Sequence, residues 1–109
     1  MHNQIQLTSA GPIQALVRSE ISTITQPYQR YLEGWQLRAT YLGTQLADHP
    51  VNSDEHDLAL RRLAELREEI AVNRDYLIAE TSRLPPDDLV DATVDSLDEL
   101  LAAVSRLGS

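Results

Sequence analysis

The fold is decided by residues 17–46, which have the sequence VRSEISTITQPYQRYLEGWQLRATYLGTQL. The apolar side chains of this stretch recur at steps of three and four residues, which places them on one side of an α-helix. They are Val17, Ile21, Ile24, Tyr28, Tyr31, Trp35, Ala39, Leu42 and Leu46. Pro12 suits the first position of such a helix. We therefore predict a helix over residues 12–48 with Trp35 buried, preceded by a flexible N-terminus at residues 1–10.

Pro27 interrupts the hydrogen bonding of this predicted helix but not its apolar stripe. A proline has no N–H to donate, and its ring crowds the carbonyl four residues earlier, which is that of Thr23. The sequence therefore allows a kink or a short break between Thr23 and Pro27. Because the stripe resumes in phase after Pro27, we predict a kink.

A second helix is predicted over residues 53–84, after a short turn. Pro50 disfavours helix at His49, and either Asn52 or Ser53 can cap the helix that follows. Its apolar side is formed by Ala59, Leu63, Leu66, Ile70, Leu77 and Leu84, and is interrupted by the polar Asn73. A short turn between two long helices favours an antiparallel hairpin.

An amphipathic C-terminal helix is predicted over residues 86–107, after Pro85-Pro86. Its apolar side is formed by Val90, Val94, Leu97, Leu101 and Val104. Ser96-x-x-Glu99 resembles a capping box, so this segment is compatible with one helix or two. The fold class that we predict is all-α: an antiparallel hairpin plus the C-terminal helix, in a three- to four-helix bundle. Residues 1–109 are predicted to form a single domain.

The charge of the chain argues against several classes of partner. The net charge is −8, from 17 acidic residues and nine basic residues that are all arginine. Nucleic-acid binding needs Lys and Arg to replace phosphate counterions, and anionic membranes also attract basic segments. No apolar stretch approaches the ~20 residues of a membrane span. We therefore expect no nucleic acid and no membrane as partners, and a cytoplasmic protein of a bacterium or phage.

The sequence offers little for catalysis or metal binding. It has no cysteine, which excludes a thiol nucleophile and thiolate ligands. Residues 54–57, Asp-Glu-His-Asp, are the most metal-like run, but acids also suit the first turn of a helix, where the helix dipole favours anions. An enzyme would have to draw its acid–base groups from Glu20, Glu33, Arg38, His49 or His56. We predict no enzymatic activity, no metal, no cofactor and no small-molecule substrate.

The C-terminal helix carries a negative strip at steps of three and four residues, formed by Asp88, Asp91, Asp95 and Asp98. Such a strip can dock a basic partner or mimic nucleic-acid phosphates. It can also be a solvated side near a helix N-terminus, which is the interpretation that we favour. Asn73 leaves a similar choice, since it either fixes the register of helix pairing or lies at an exposed edge.

Apolar side chains remain once the main stripes are assigned. Leu37 and Tyr41, with Gly34, lie on the far side of the first helix, and Val72 and Tyr76 lie off the main stripe of the second. A hairpin alone leaves these side chains exposed, and apolar patches of that kind mark contact sites. Either they are covered within a larger bundle of the same chain, or they bind a second copy or another protein. We favour an interface.

The predicted function is therefore a non-enzymatic protein–protein interaction module that binds a protein partner or a second copy through helix faces. This role fits a small acidic adaptor, a secretion or assembly chaperone, or a phage-type inhibitor. The alternative is a structural subunit of a larger phage or secretion assembly.

Overall fold

The computed structural model describes the backbone of residues 2–109 and the side chains of residues 11–109. This part of the chain forms three α-helices and no β-strand: α1 (His2–Asp48), α2 (Asp54–Thr81) and α3 (Asp88–Leu107). The all-α prediction is confirmed, and a hairpin followed by a C-terminal helix agrees with this order of elements.

α1 begins at His2, so the helix start predicted at Pro12 is wrong. Pro12 lies inside α1 rather than in its first turn. Proline prefers the first turn because it costs about 3 kcal/mol in a helix interior. This cost disfavours an interior proline but does not exclude it. Met1 and the side chains of residues 2–10 lie outside the described part, and the flexibility predicted for residues 1–10 stays a prediction.

Pro27 also lies inside α1, which continues through it without a break. On the N-terminal side of this proline, the hydroxyls of Thr23 and Thr25 donate to the carbonyls of Ser19 and Ile21, both at 2.9 Å. The break that the sequence allowed is therefore not present, and the kink at Pro27 stays a prediction.

The turn between α1 and α2 is closed by a helix cap. Of the two predicted caps, Ser53 is the one used, since its side chain accepts a hydrogen bond from the backbone N–H of His56 at 3.2 Å. Asn52 instead adopts a positive φ of 72°. This left-handed conformation is tolerated better by asparagine than by most residues, and it turns the chain into α2.

α2 and α3 are both shorter than predicted at the segment that joins them. α2 ends at Thr81 rather than at residue 84, because Pro85 disfavours helical backbone at the preceding Leu84. α3 begins at Asp88, after Asp87 caps it by accepting the Leu89 N–H at 2.8 Å. α3 is a single helix, so the second capping box predicted at Ser96 does not start a new one.

Each of the three helices contacts the other two. Glu20 bonds to Arg83 and Trp35 to Glu69, so α1 and α2 are antiparallel. Gly108, at the end of α3, lies against Leu63, near the start of α2, so these two helices are antiparallel as well. One core unites all three helices; its buried members are Tyr28, Trp35, Ala39, Leu42, Ala59, Leu63, Leu66, Ile70, Leu77, Leu97, Leu100 and Val104.

α1 is much longer than the helices that cover it. Its 47 residues span about 70 Å, whereas the 28 residues of α2 span about 42 Å. The ion pair between Glu20 and Arg83, at 2.6 Å, lies just beyond the end of α2. Residues 11–19 of α1, which we call the N-terminal extension, therefore project past α2 and leave Ile13 and Leu16 exposed.

Candidate interaction surface

The four apolar residues predicted to lie at an interface are all exposed to solvent. The exposed fractions are 73% for Leu37, 61% for Tyr41, 55% for Val72 and 63% for Tyr76. The alternative, that the chain itself encloses them, is therefore excluded for this structure. Their role in binding stays a prediction.

These side chains lie on the side of the hairpin that faces away from α3. In α1, Gln36 and Thr40 line the cleft against α3. Leu37 directly follows Gln36, and Tyr41 directly follows Thr40. Because one step along a helix rotates the side chain by about 100°, Leu37 and Tyr41 point away from this cleft. Tyr41 instead borders a groove of about 370 Å³ whose other wall is formed by Arg62 of α2. The groove is lined by residues of α1 and α2 alone.

Two more exposed apolar residues belong to the same surface, which we call the hairpin face. Its six apolar members are Tyr31, Leu37, Tyr41, Leu58, Val72 and Tyr76. Tyr31 was assigned to the buried stripe, but it lies at the edge of that stripe and is 47% exposed. Leu58 was missed, although it continues the stripe of Val72 and Tyr76 at helical steps through positions 62, 65 and 69. It lines the end of the face next to Tyr41.

A polar junction lies in the middle of the hairpin face. The Glu69 carboxylate accepts a hydrogen bond from Trp35 Nε1 at 2.6 Å and one from Arg38 Nη1 at 2.7 Å. Trp35 is buried, as predicted, so its indole N–H needs this acceptor. The junction fixes α1 against α2 at this level of the hairpin.

Asn73 holds the hairpin through its backbone rather than its side chain. Its carbonyl accepts a hydrogen bond from the Tyr28 hydroxyl at 3.1 Å, whereas its amide Nδ2 donates within α2 to the Glu69 carbonyl at 2.8 Å. Half-buried Asn73 is thus neither a side-chain register lock nor a fully exposed edge. Burial raises the pKa of the Tyr28 phenol above its usual value, and the negative charge of Glu80 raises it further.

The four acids of the predicted negative strip are exposed on α3. Asp88 and Asp91 lie in its first turn, where the helix dipole favours carboxylates. Asp98 forms a two-pronged hydrogen bond with Arg74 of α2, so it joins the two helices. Asp95 borders a shallow groove between α2 and α3. Three of the four acids thus have a structural role or setting, and a docking role for the strip stays a prediction.

The residues considered for catalysis are distributed along the hairpin and do not meet. Glu20 bonds to Arg83, Arg38 bonds to Glu69, and His49 lies 3.2 Å from Gln45. The acids of the metal-like run, Asp54, Glu55 and Asp57, occupy the first turn of α2. Within residues 11–109, His, Asp and Glu side chains form no group of three that is placed to hold a metal ion.

The chain matches no protein family model, no curated protein and no solved structure. In the part of the chain that the structure describes, none of the helices has an apolar stretch that would cross a membrane.

Proposed function

We propose that this protein is a non-enzymatic interaction module that binds a protein partner through the hairpin face. The observation that carries the proposal is the clustering of six large apolar side chains on one side of two antiparallel helices. Exposed apolar residues that occur singly are ordinary, whereas a continuous patch of several hundred Å² marks a binding surface. The tyrosines add to this argument, since aromatic residues are enriched at protein interfaces.

The surface suits a helical or otherwise convex partner segment. The groove between Tyr41 and Arg62 provides an apolar floor with a charged rim, the arrangement found where amphipathic helices bind. An adaptor, a secretion or assembly chaperone and a phage-type inhibitor all act in this way, and the proposal places such a protein in the cytoplasm. The proposal also includes a three- to four-helix bundle and a kink at Pro27. Residual dipolar couplings along α1 would measure the kink.

The test compares what the tagged protein retains from a lysate of its native cells. The face variant combines Leu37→Asp with Val72→Asp, and the control is Leu89→Asp on α3, which also replaces an exposed leucine. We expect wild type and control to retain the same proteins, and the face variant to lose them while its far-UV circular dichroism is unchanged. Retention of the same proteins by the face variant would refute the proposal.

The alternative, a structural subunit of a phage or secretion assembly, is favoured by one feature. The molecule is 75 Å long, and it exposes apolar side chains at two separate places, the hairpin face and the N-terminal extension. Two different contact sites allow open, head-to-tail growth. Sedimentation velocity over a range of concentrations separates the two proposals, because a subunit forms species that keep growing and a module does not.

A further inference from the structure

The hairpin face contains two rows of residues, one on each helix of the hairpin, that α3 does not cover. Each row recurs at steps of three and four residues, so it follows one side of its helix. The α1 row is Pro27, Tyr31, Gly34, Arg38, Tyr41 and Gln45, and the α2 row is Leu58, Arg62, Glu65, Glu69, Val72 and Tyr76. Gln45 is half-buried, and the other members of both rows are exposed.

Contacts within the hairpin show which members of the two rows lie at the same level. Glu20 bonds to Arg83 and Trp35 bonds to Glu69, and α1 and α2 are antiparallel. Each step forward along α1 is therefore matched by a step back along α2. The six level pairs are Pro27 with Tyr76, Tyr31 with Val72, Gly34 with Glu69, Arg38 with Glu65, Tyr41 with Arg62 and Gln45 with Leu58.

From these rows, and resting on the proposed function, we infer that the hairpin face binds a second copy of this chain about a two-fold axis parallel to the helices. The axis lies between the two faces. Rotation about it keeps every residue at its level and every helix in its direction. It lays α1 of one copy on α2 of the other, and these two helices are antiparallel. Two hairpins then form a bundle in which each α1 has two antiparallel α2 neighbours, its own and that of the other copy.

The apolar members of the rows match across this axis. Because levels are kept, each level pair of one chain also meets between the two copies. Tyr31 of one copy lies opposite Val72 of the other, and Pro27 lies opposite Tyr76. The axis repeats these two contacts, so the apolar end of one face is covered by the same end of the other.

The charged members of the rows match as well. Arg38 lies opposite Glu65 of the other copy, and Arg62 lies opposite Tyr41, whose ring face attracts a guanidinium. Among the described residues, Arg62 and Glu65 form no ion pair within the chain. The two rows together contain two arginines and two glutamates, so they are neutral although the chain carries a net charge of −8. Two such faces therefore meet without net repulsion.

Gly34 is explained by the same pair. It lies inside α1, where glycine is less favourable than alanine by roughly 1 kcal/mol. A Cβ atom added at Gly34 would meet no atom within 4 Å, so packing within the chain does not require glycine. In the pair, Gly34 lies opposite Glu69 of the other copy, whose carboxylate is held by Trp35 and Arg38 of its own chain. A residue without a side chain leaves room for that junction between two closely packed helices.

The second axis that brings the two faces together runs across the helices, and it fits the rows less well. It lays α1 on α1 and α2 on α2. When Tyr31 then lies opposite Tyr41, and Leu58 opposite Tyr76, Glu65 lies opposite Glu69 at two places in the pair. Like charges that face each other across an interface disfavour this arrangement.

The area of the rows is sufficient for a stable pair. Their five large apolar side chains are 42–63% exposed and present roughly 600 Å² together. Pro27 and the aliphatic stems of the two arginines raise this to roughly 800 Å² per copy, which is the area that a stable interface takes from each partner.

The first test is the mass of the purified chain, by light scattering after size-exclusion chromatography over a range of concentrations. We expect twice the 12.2 kDa of one chain for the wild type. Glu65→Arg should raise the dissociation constant about tenfold or more, because it places an arginine opposite Arg38 of the other copy. The control is Glu68→Arg, which makes the same change of charge at an exposed position outside the α2 row. A monomeric wild type, or equal effects of the two variants, would overturn the inference.

The second test probes the close approach at Gly34. Gly34→Leu should raise the dissociation constant about tenfold or more, because its side chain separates α1 from α2 of the other copy. Leucine is the better helix former, so the fold of the monomer tolerates the change. The control is Glu33→Leu, which adds a leucine at the neighbouring exposed position outside the α1 row. A Gly34→Leu pair as tight as that of Glu33→Leu contradicts the inference.

The third test measures the direction of the axis, and it uses the absence of native cysteine. Spin labels are attached to the single variants Ser22→Cys, Glu33→Cys and Thr44→Cys, which are exposed and lie on one side of α1 at steps of 11 residues. An axis parallel to the helices keeps levels, so the distance between the two labels of a pair should be nearly the same at all three sites. An axis across the helices moves the labels apart by about 3 Å for each residue from the axis. A spread of roughly 20 Å among the three distances would therefore refute the proposed axis.

These tests separate the inference from the function on which it rests. A monomeric wild type whose retained proteins still depend on Leu37 and Val72 overturns the two-fold pair and leaves the proposed function standing. If Leu37→Asp with Val72→Asp changes neither the mass in solution nor the retained proteins, both are overturned.

Discussion

Truncation of Trp35 to alanine should lower the free energy of unfolding by about 3–5 kcal/mol. Trp35 is 6% exposed, and its ring lies in the core between α1 and α2. Its Nε1–H donates to the Glu69 carboxylate at 2.6 Å, and Arg38 is the second donor to this carboxylate at 2.7 Å. Alanine removes the packing of the ring and one of the two donors. Trp35→Phe keeps most of the ring and loses the charge-assisted hydrogen bond, so it should cost about 1.5–3 kcal/mol.

The measurement is urea unfolding followed by far-UV circular dichroism, since Trp35 is the only tryptophan and its fluorescence is lost in both variants. All variants are compared at one protein concentration, because self-association raises apparent stability. Gln29→Ala, an exposed position on α1, is the control and should stay within about 0.5 kcal/mol of wild type. If Trp35→Ala costs no more than this control, Trp35 does not anchor the hairpin and the description of the core is wrong.

Three further outcomes follow from the core and the caps. Burial raises the pKa of Tyr28, so the unfolded chain ionises first as the pH rises. The free energy of unfolding should therefore fall above about pH 10, and this fall should be smaller in Tyr28→Phe. Urea unfolding at a series of pH values measures it. If the dependence of stability on pH is the same in Tyr28→Phe as in wild type, the phenol is not buried. Ser53→Ala removes the cap of α2 and should cost about 0.5–2 kcal/mol, whereas Ser105→Ala, at an exposed site inside α3, should cost nothing measurable by thermal unfolding. Leu97→Ala should lower the free energy of unfolding by about 2–5 kcal/mol and Leu89→Ala by much less, because Leu97 is fully buried and Leu89 is 43% exposed. If chemical denaturation gives equal losses for the two variants, α3 does not pack as described.

The sequence predicted all three helices, with the ends of α1 at Asp48 and of α3 at Leu107, but not the start of α1 or the end of α2. The apolar stripe of α2 includes Leu84, yet the helix ends at Thr81 because the proline that follows Leu84 restricts its backbone. α2 is thus shorter than predicted, whereas α1 is longer, because Pro12 was taken for the first turn and lies in the helix interior. Proline changes local backbone energies by a few kcal/mol, and whether a helix continues through it depends on the residues on both sides.

From the sequence, the hairpin face could be identified only as the apolar side chains that were left after the buried stripes had been assigned. Leu37 and Tyr41 were found because they lie far from the main stripe of α1. Tyr31 was not found, because steps of three and four residues also admit side chains at the edge of a stripe, where burial is partial. Which edge is covered depends on the position of α3, and no local pattern in α1 encodes that position.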